Sequence, residues 1–241
     1  MRIVGKKLTK AEFLAYVQQK DFGSIAPKEI VLHHTWRPTL ATWDGARTIQ
    51  GLKTYYEGLG WNAGPHIFLA PDGIWLFTDM SRVGIHAGVG NAVWQKNGQT
   101  LRGYYQPNAT LVTYSIGVEV VGNYDEKIWS DEMKDLALFC LSALKNKLNI
   151  TTNEVTFHRD YSPKTCPGNM ITRTWFETEL NAYETQKNLA ENPSNYKYKF
   201  SPAEAQKAVE LGLLKQINTE TREIIAIGLV RLYEKIKSEQ V

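Results

Sequence analysis

The spacing of apolar positions changes repeatedly along the chain, and each change marks out an element. Thr9 and Glu12 have the spacing of a capping box, and Leu8 and Phe13 stand where a hydrophobic staple holds the entering chain, which predicts a helix over about 10–19. EIVLHHT (29–35) is rich in β-formers, lies between Pro27 and Pro38, and reads as a buried strand ending at two histidines. From Trp43 to Leu59 apolar residues recur at helical spacing (Ile49, Leu52, Tyr55, Tyr56, Leu59) and stop at Gly60, a helix C-cap. HIFLA (66–70) and IWLFT (74–78) flank Pro71, Asp72 and Gly73 and predict a hairpin. Residues 87–113, with several Gly and Asn, predict a long irregular surface loop of the kind that lines a binding groove, and SIGVEVVG (115–122) predicts the next strand. Ser130, Asp131 and Glu132 open a helix to about Leu148 whose Met133, Leu136, Ala137, Cys140 and Leu144 share one face, so Cys140 is assigned to the core. EVTFH (154–158) predicts a short strand leading into the loop HRDYSPKTCPG, and a helix over about 170–187 closes the domain.

Strands interspersed with helices indicate an α/β fold over residues 1–187, a central mixed β-sheet flanked by helices. Residues 188–200 are polar and aperiodic and predict a linker. Beyond it Ser201, Pro202 and Glu204 start a helix, Gly212 stops it, and Thr219 starts another to about Ile236, so residues 201–241 form a small C-terminal two-helix unit. The second helix carries an apolar band, from Ile224 to Ile236, wider than one short partner helix can cover. It must pack on the first domain, on another copy to make an oligomer, or on a ligand.

Composition narrows the class without naming it. A chain of 241 residues with 43% hydrophobic and 22% charged residues is globular, and disorder is excluded. The net charge of +3 makes an ordinary, slightly basic surface and is too small to argue for nucleic acid. Two cysteines with no C-x-x-C spacing give no disulfide framework. The N-terminal stretch lacks the apolar core of a secretory signal, and no stretch is long enough to span a bilayer.

Candidate chemistry gathers at His33, His158 and Cys166. A hydrolytic zinc site takes three nitrogen, sulfur or oxygen ligands and keeps one position open, and these three can supply them. Singly, a strand histidine is more often structural and a lone cysteine more often core. HRDYSPKTC, however, places His158, Lys164 and Cys166 together in a polar, proline-braced loop that is a poor place to bury a structural thiol. Glu119 sits in an otherwise apolar strand, where an ionised carboxylate is costly without a partner. A Glu snorkelling from an edge strand is the plain alternative.

The strings VLHHTW, GPHIFLAPDG, IHAG, SIGVEVVG and HRDYSPKTCPG, in this order over about residues 29–180, resemble the type 2 N-acetylmuramoyl-L-alanine amidases, a family that includes phage endolysins, bacterial recycling amidases and peptidoglycan recognition proteins. The resemblance implies a zinc hydrolase cutting the bond between N-acetylmuramic acid and L-alanine in bacterial peptidoglycan. It implies His33, His158 and Cys166 as metal ligands, Glu119 as proton shuttle and Lys164 as oxyanion partner, with Pro65 where some members carry a catalytic tyrosine. His34 falls outside the metal shell; His86, Trp36 and, more weakly, His66 are assigned to substrate contact. AVELGLLKQINTETREIIAIGLVRLYE is loosely similar to a single S-layer homology repeat, a wall anchor, with a helical cap or dimerisation element as the alternative. The expectation is a phage-type lysis enzyme, made in the (host) cytoplasm without a signal peptide and acting on the wall after release. The alternatives are a cytoplasmic recycling amidase, a non-catalytic peptidoglycan binder, and a thiol enzyme with Cys166 as nucleophile and His158 as its base.

Overall fold

A computed structural model of the chain describes residues 1–191, and the chain divides into two units, Met1–Gln186 and Lys187–Val241. The two-helix unit expected over 201–241, and the linker beyond residue 191, lie outside the described residues. The elements in chain order are β1 (Lys6–Leu8), α1 (Lys10–Gln19), β2 (Glu29–His34), α2 (Gly45–Gly58), β3 (Ile67–Ala70), β4 (Gly73–Leu76), β5 (Ala92–Lys96), β6 (Gln99–Arg102), β7 (Thr110–Val120), α3 (Asp131–Leu148), β8 (Val155–Phe157) and α4 (Arg173–Glu191). Strand order is β1-β4-β3-β7-β2-β8, with β5 paired to β7 and β6 to β5. β3, β7, β2 and β8 run parallel, and the remaining pairings are antiparallel, so the sheet is mixed as expected.

Alternation along the strands sorts the side chains onto two faces. Ile30 and Leu32 of β2, Ile67 and Leu69 of β3, Ile116, Val118 and Val120 of β7, and Val155 and Phe157 of β8 are buried in one core. That core also takes Phe13 and Val17 of α1, Ala137, Leu141 and Leu144 of α3, and Phe176 and Leu180 of α4. Each fully buried aliphatic or aromatic side chain contributes about 1.5–3 kcal/mol. Cys140 belongs to this core and is fully buried. The opposite face packs Phe68, Ala70, Trp75, Phe77 and Val121 against Ile49, Leu52 and Tyr56 around α2, and this second layer covers only part of the sheet.

Local signals explain most boundaries. Thr9 and Glu12 form the capping box of α1, and the stapling pair Leu8 and Phe13 is buried. Ser130 caps α3, accepting from the Met133 N–H, and Asn149 ends it in the left-handed conformation. α4 starts at Arg173, after Thr172 accepts from the Trp175 N–H, and runs to Glu191 rather than stopping near 187. Among the described residues no helix is long and apolar enough to cross a membrane.

Residues 87–113 depart from expectation. They are not an irregular loop but hold the β5–β6 hairpin, and β7 begins at Thr110 rather than Ser115. Asn97 and Gly98 both have positive φ, 51° and 78°, so AVWQK and QTLR join through the two-residue Asn-Gly turn that matches strand twist. The early part of β7 forms because β5 pairs with it, Ala92 opposite Tyr114 and Trp94 opposite Leu111. β1 was also not anticipated; three residues with one buried side chain are too short to show a period.

Asp79 ties the end of α1 to the segment after β4, accepting from Lys20 Nζ at 2.6 Å and from Ser81 N and Oγ at 2.8 and 2.6 Å. Partial burial pushes its carboxyl up, but the Lys20 and Ser81 hydrogen bonds and the Lys20 charge outweigh that and bring it from 3.8 down to about 2. A folded pKa below the unfolded one means stability that is present above pH 3.8 and lost as the pH falls through about 2. The side chain is 40% exposed, so solvent screens the pair. Asp79→Asn is expected to cost about 1 kcal/mol at neutral pH, read from urea midpoints, with the deficit shrinking across that acid window.

Candidate metal centre and its cleft

The open part of the second face holds the polar residues. His33 projects there from β2, and its ladder partner across β7 is Glu119, which also pairs with Phe68 of β3. β8 pairs Phe157 with Leu32, and His158 follows at the strand's end. A folded-back loop then returns Cys166 to the same place. Asp160 accepts from the Phe157 N–H and from Arg173. Arg159 donates its N–H to Cys166 O, and its guanidinium, stacked over the Phe157 ring at 4.8 Å, donates to the carbonyls of Thr165, Gly168 and Ile171. Gly168 has φ 116°, and a Cβ there would lie 2.4 Å from Tyr124 O, so a side chain at this position would keep the loop from closing on the sheet.

His33 Nδ1 lies 3.0 Å from His158 Nδ1 and 3.7 Å from Cys166 Sγ, and the three donor atoms lie within 4.8 Å of one another. Those separations bracket the edges of about 3.3–3.6 Å of a tetrahedron built on zinc–nitrogen and zinc–sulfur bonds. Burial first, then the neighbouring histidines, holds His33 well below its ordinary pKa; burial and the Lys164 charge bring His158 down to about 4. Both imidazoles are therefore neutral, with lone pairs to give a cation. Burial pushes the Cys166 thiol up, so it is a poor free nucleophile and ionises only beside a positive centre. Two neutral imidazoles and a buried thiol facing one another fit a zinc ion.

Glu119 is 9% exposed; its Oε1 is 3.9 Å from His33 Nδ1, and its buried Oε2 has no hydrogen-bond partner. Burial raises its pKa to about 8, against the opposing charge of Lys164. Lys164 itself is exposed at the cleft mouth. His34 also borders the cleft but stays out of the donor group: its Nδ1 accepts from the Tyr124 N–H at 3.2 Å, while its backbone N–H donates to Cys166 Sγ at 3.3 Å.

The cleft above these residues has a volume of ≈ 500 Å³. One wall is the part of α2 turned from the core: Tyr55, 61% exposed, and Leu59, 48% exposed, with Tyr56 stacked on Trp61 at 5.2 Å. Trp36 stands at the rim, 53% exposed, its backbone at φ 53° and the Arg37 guanidinium 5.0 Å from its ring. His86 lines the cleft but is 9% exposed and bonded to His33. Two expectations are corrected. No lining residue comes from 87–113, because that segment is committed to the hairpin. His66 is fully buried and does not line the cleft; its Nδ1 accepts from Gly117 N–H and its Nε2 donates to Arg82 O, so it pins backbone rather than meeting a substrate. The aromatic wall of α2 was not anticipated: Tyr55, Tyr56 and Leu59 entered the sequence reading only as apolar positions at helical spacing.

The profile of the N-acetylmuramoyl-L-alanine amidase family matches residues 23–169, and the chain belongs to that family. Solved structures similar to it include the N-acetylmuramoyl-L-alanine amidase LysC from Clostridium intestinale URNW, at 24% identity over 65% of this chain and 87% of that one, TM-score 0.43. A mutant endolysin from Bacillus subtilis is 22% identical over 64% and 84%, TM-score 0.44. The Drosophila peptidoglycan recognition protein SD is 18% identical over 67% and 88%, TM-score 0.46. No curated protein matches the sequence.

The Arg159 contacts give a testable consequence. Arg159→Met removes both the guanidinium stacked on Phe157 and the side-chain donor to three loop carbonyls, of which Thr165 O and Gly168 O keep a backbone N–H donor. It is expected to destabilise the fold by about 1–3 kcal/mol in denaturant titration.

Proposed function

We propose that this chain is a zinc-dependent N-acetylmuramoyl-L-alanine amidase that hydrolyses the amide between the lactyl group of N-acetylmuramic acid and L-alanine in peptidoglycan. The observation that carries the reading is the convergence of His33, His158 and Cys166 on one point, beside a buried carboxylate with an unpartnered oxygen, at the floor of an open cleft. His33, His158 and Cys166 would hold the ion. Zinc held there supplies Lewis acidity toward a carbonyl oxygen and makes water nucleophilic near neutral pH.

The chain's own residues supply the rest. Glu119, close to the donors, would be ionised by a cation held there together with the Lys164 charge, and then accepts the proton of the attacking water and returns it to the departing L-alanine amine. Lys164, at the mouth, offers a positive charge to the oxygen that becomes anionic as the carbonyl is attacked. Trp36, Tyr55 and Leu59 offer flat apolar surface to sugar rings or stem-peptide side chains, which rigid aromatic surfaces bind with little ordering cost. Pro65 lines the cleft without a proton to give, which leaves Glu119 as the shuttle.

The finer role we propose is that of a phage-type lysis enzyme rather than a recycling amidase, on the strength of the additional segment 201–241 read from the sequence. Purified sacculi and soluble muropeptides, incubated separately with the full chain and analysed by mass spectrometry, distinguish the two; preferential release of stem peptides from sacculi is expected.

Two measurements test the chemistry. Chelation should abolish release of stem peptides and zinc should restore it; full turnover by metal-free protein would overturn the proposal. Glu119→Gln should lower kcat by about 10²–10⁴-fold with zinc content unchanged, as loss of a general acid–base does.

A further inference from the structure

Ser115 Oγ lies 2.6 Å from the carbonyl oxygen of Gly90. A carbonyl only accepts, so the Ser115 hydroxyl donates to it and keeps its lone pairs for another donor. Facing those lone pairs at 3.3 Å is His86 Nε2. A neutral imidazole with its proton on Nε2 has a bare Nδ1, and His86 Nδ1 lies 3.1 Å from His33 Nε2. His33 must then carry its proton on Nε2. Its own Nδ1 is left as a lone pair, and that atom faces His158 and Cys166.

We propose that His86 is a positioning residue: with Ser115 it forms a directional hydrogen-bond chain, Gly90 carbonyl to Ser115 to His86 to His33, that holds His33 as the tautomer whose Nδ1 is free to bind zinc. The sequence reading gave His86 to substrate contact; its burial and its two ring partners give it this second task. A ring nitrogen bonded to a fixed acceptor sets both the tautomer and the ring angle of a metal-binding histidine, and raises the affinity of the site.

The surroundings are built to hold the chain of bonds. The His86 ring lies on the backbone of β7 at Gly117, where a Cβ would come within 2.6 Å of it, so the sheet beneath carries no side chain. Asn91 Oδ1 accepts from the N–H groups of His86 and Ala87 at 3.0 and 2.7 Å and fixes the segment that bears the ring. The His33 and His86 rings meet edge to face at 87° with centroids 5.2 Å apart, which aims one nitrogen of each ring at the other. Ser115 is itself fixed, its N–H donating to Asn91 O at 3.0 Å.

The inference rests on the zinc reading above and is tested with the full chain by two measurements, zinc affinity from chelator competition and ring ¹⁵N NMR of the metal-free protein. His86→Leu removes the acceptor while keeping bulk, His86→Asn returns an acceptor oxygen, and Ser115→Ala breaks the chain one step further out. We expect His86→Leu and Ser115→Ala to weaken zinc binding by about 10–100-fold. His86→Asn should recover most of the His86→Leu loss, a rescue that a purely space-filling role would not give. The NMR spectrum of the unsubstituted protein should show His33 as the Nε2–H tautomer. Wild-type affinity in both His86→Leu and Ser115→Ala, or a proton on His33 Nδ1, would overturn the proposal. Failure of the unsubstituted chain to bind zinc would instead defeat the zinc reading, and the tautomer measurement would still decide the order of the hydrogen bonds.

Discussion

The site depends on strand register. Parallel pairing of β2 with β7 sets His33 opposite Glu119, and pairing of β2 with β8 carries His158 to the same end of the sheet. A slip of one residue in either pairing would send the polar side chains into the α1–α3 core and bring core residues out to the cleft. That core opposes such a slip: Ile30, Leu32, Ile116, Val118, Val120, Val155 and Phe157 are all buried on one face, and an odd shift would turn one strand's set out of it. The apolar half of each strand thus specifies where the polar half stands, although the two halves never touch across the sheet.

Electrostatics gives the arrangement its cost. Histidine rings held neutral, a thiol held protonated and a carboxyl raised to about 8 are all groups displaced from their solution behaviour by burial. A fold selected for stability alone would replace them with hydrocarbon. A cation among the donors reverses the balance, because it turns the lone pairs and the thiolate from liabilities into ligands. Arg159 keeps the thiol in place without entering the donor group: its guanidinium donates to three carbonyls of the loop that carries Cys166.

Much of this was legible in the sequence where a local rule decided the outcome. The capping box of α1, the strand ending at the histidine pair His33 and His34, the Ser130 start of α3 and the core position of Cys140 follow from spacing and cap chemistry, and the structure agrees. The motif strings brought His33, Glu119, His158, Lys164 and Cys166 into one group, and all five line the same cleft. What was not legible depends on partners far apart in the chain. β5 and β6 were missed because Gly and Asn were read as irregularity, although Asn97 and Gly98 form the tight turn of a hairpin. β7 starts early only because β5 lies beside it. His66 and His86 carry the same side chain, and only the fold tells them apart: one has both nitrogens bonded to backbone, while the other bridges Ser115 and His33.

The position of the cleft follows from how the two faces are covered. β2, β7 and β8 are parallel, so His33, Glu119 and His158 all stand at or just beyond carboxyl ends, where open α/β sheets bind their ligands. On the first face α1, α3 and α4 bury the apolar side chains of the strands. On the second, α2 covers Phe68, Ala70, Trp75 and Phe77 and stops short of His33 and Glu119. A second helix on that face would complete the layer and bury the donors beyond reach of any polymer. Among the described residues none lies there, and Tyr55 and Leu59 are exposed at the helix's free edge beside open access to the donors.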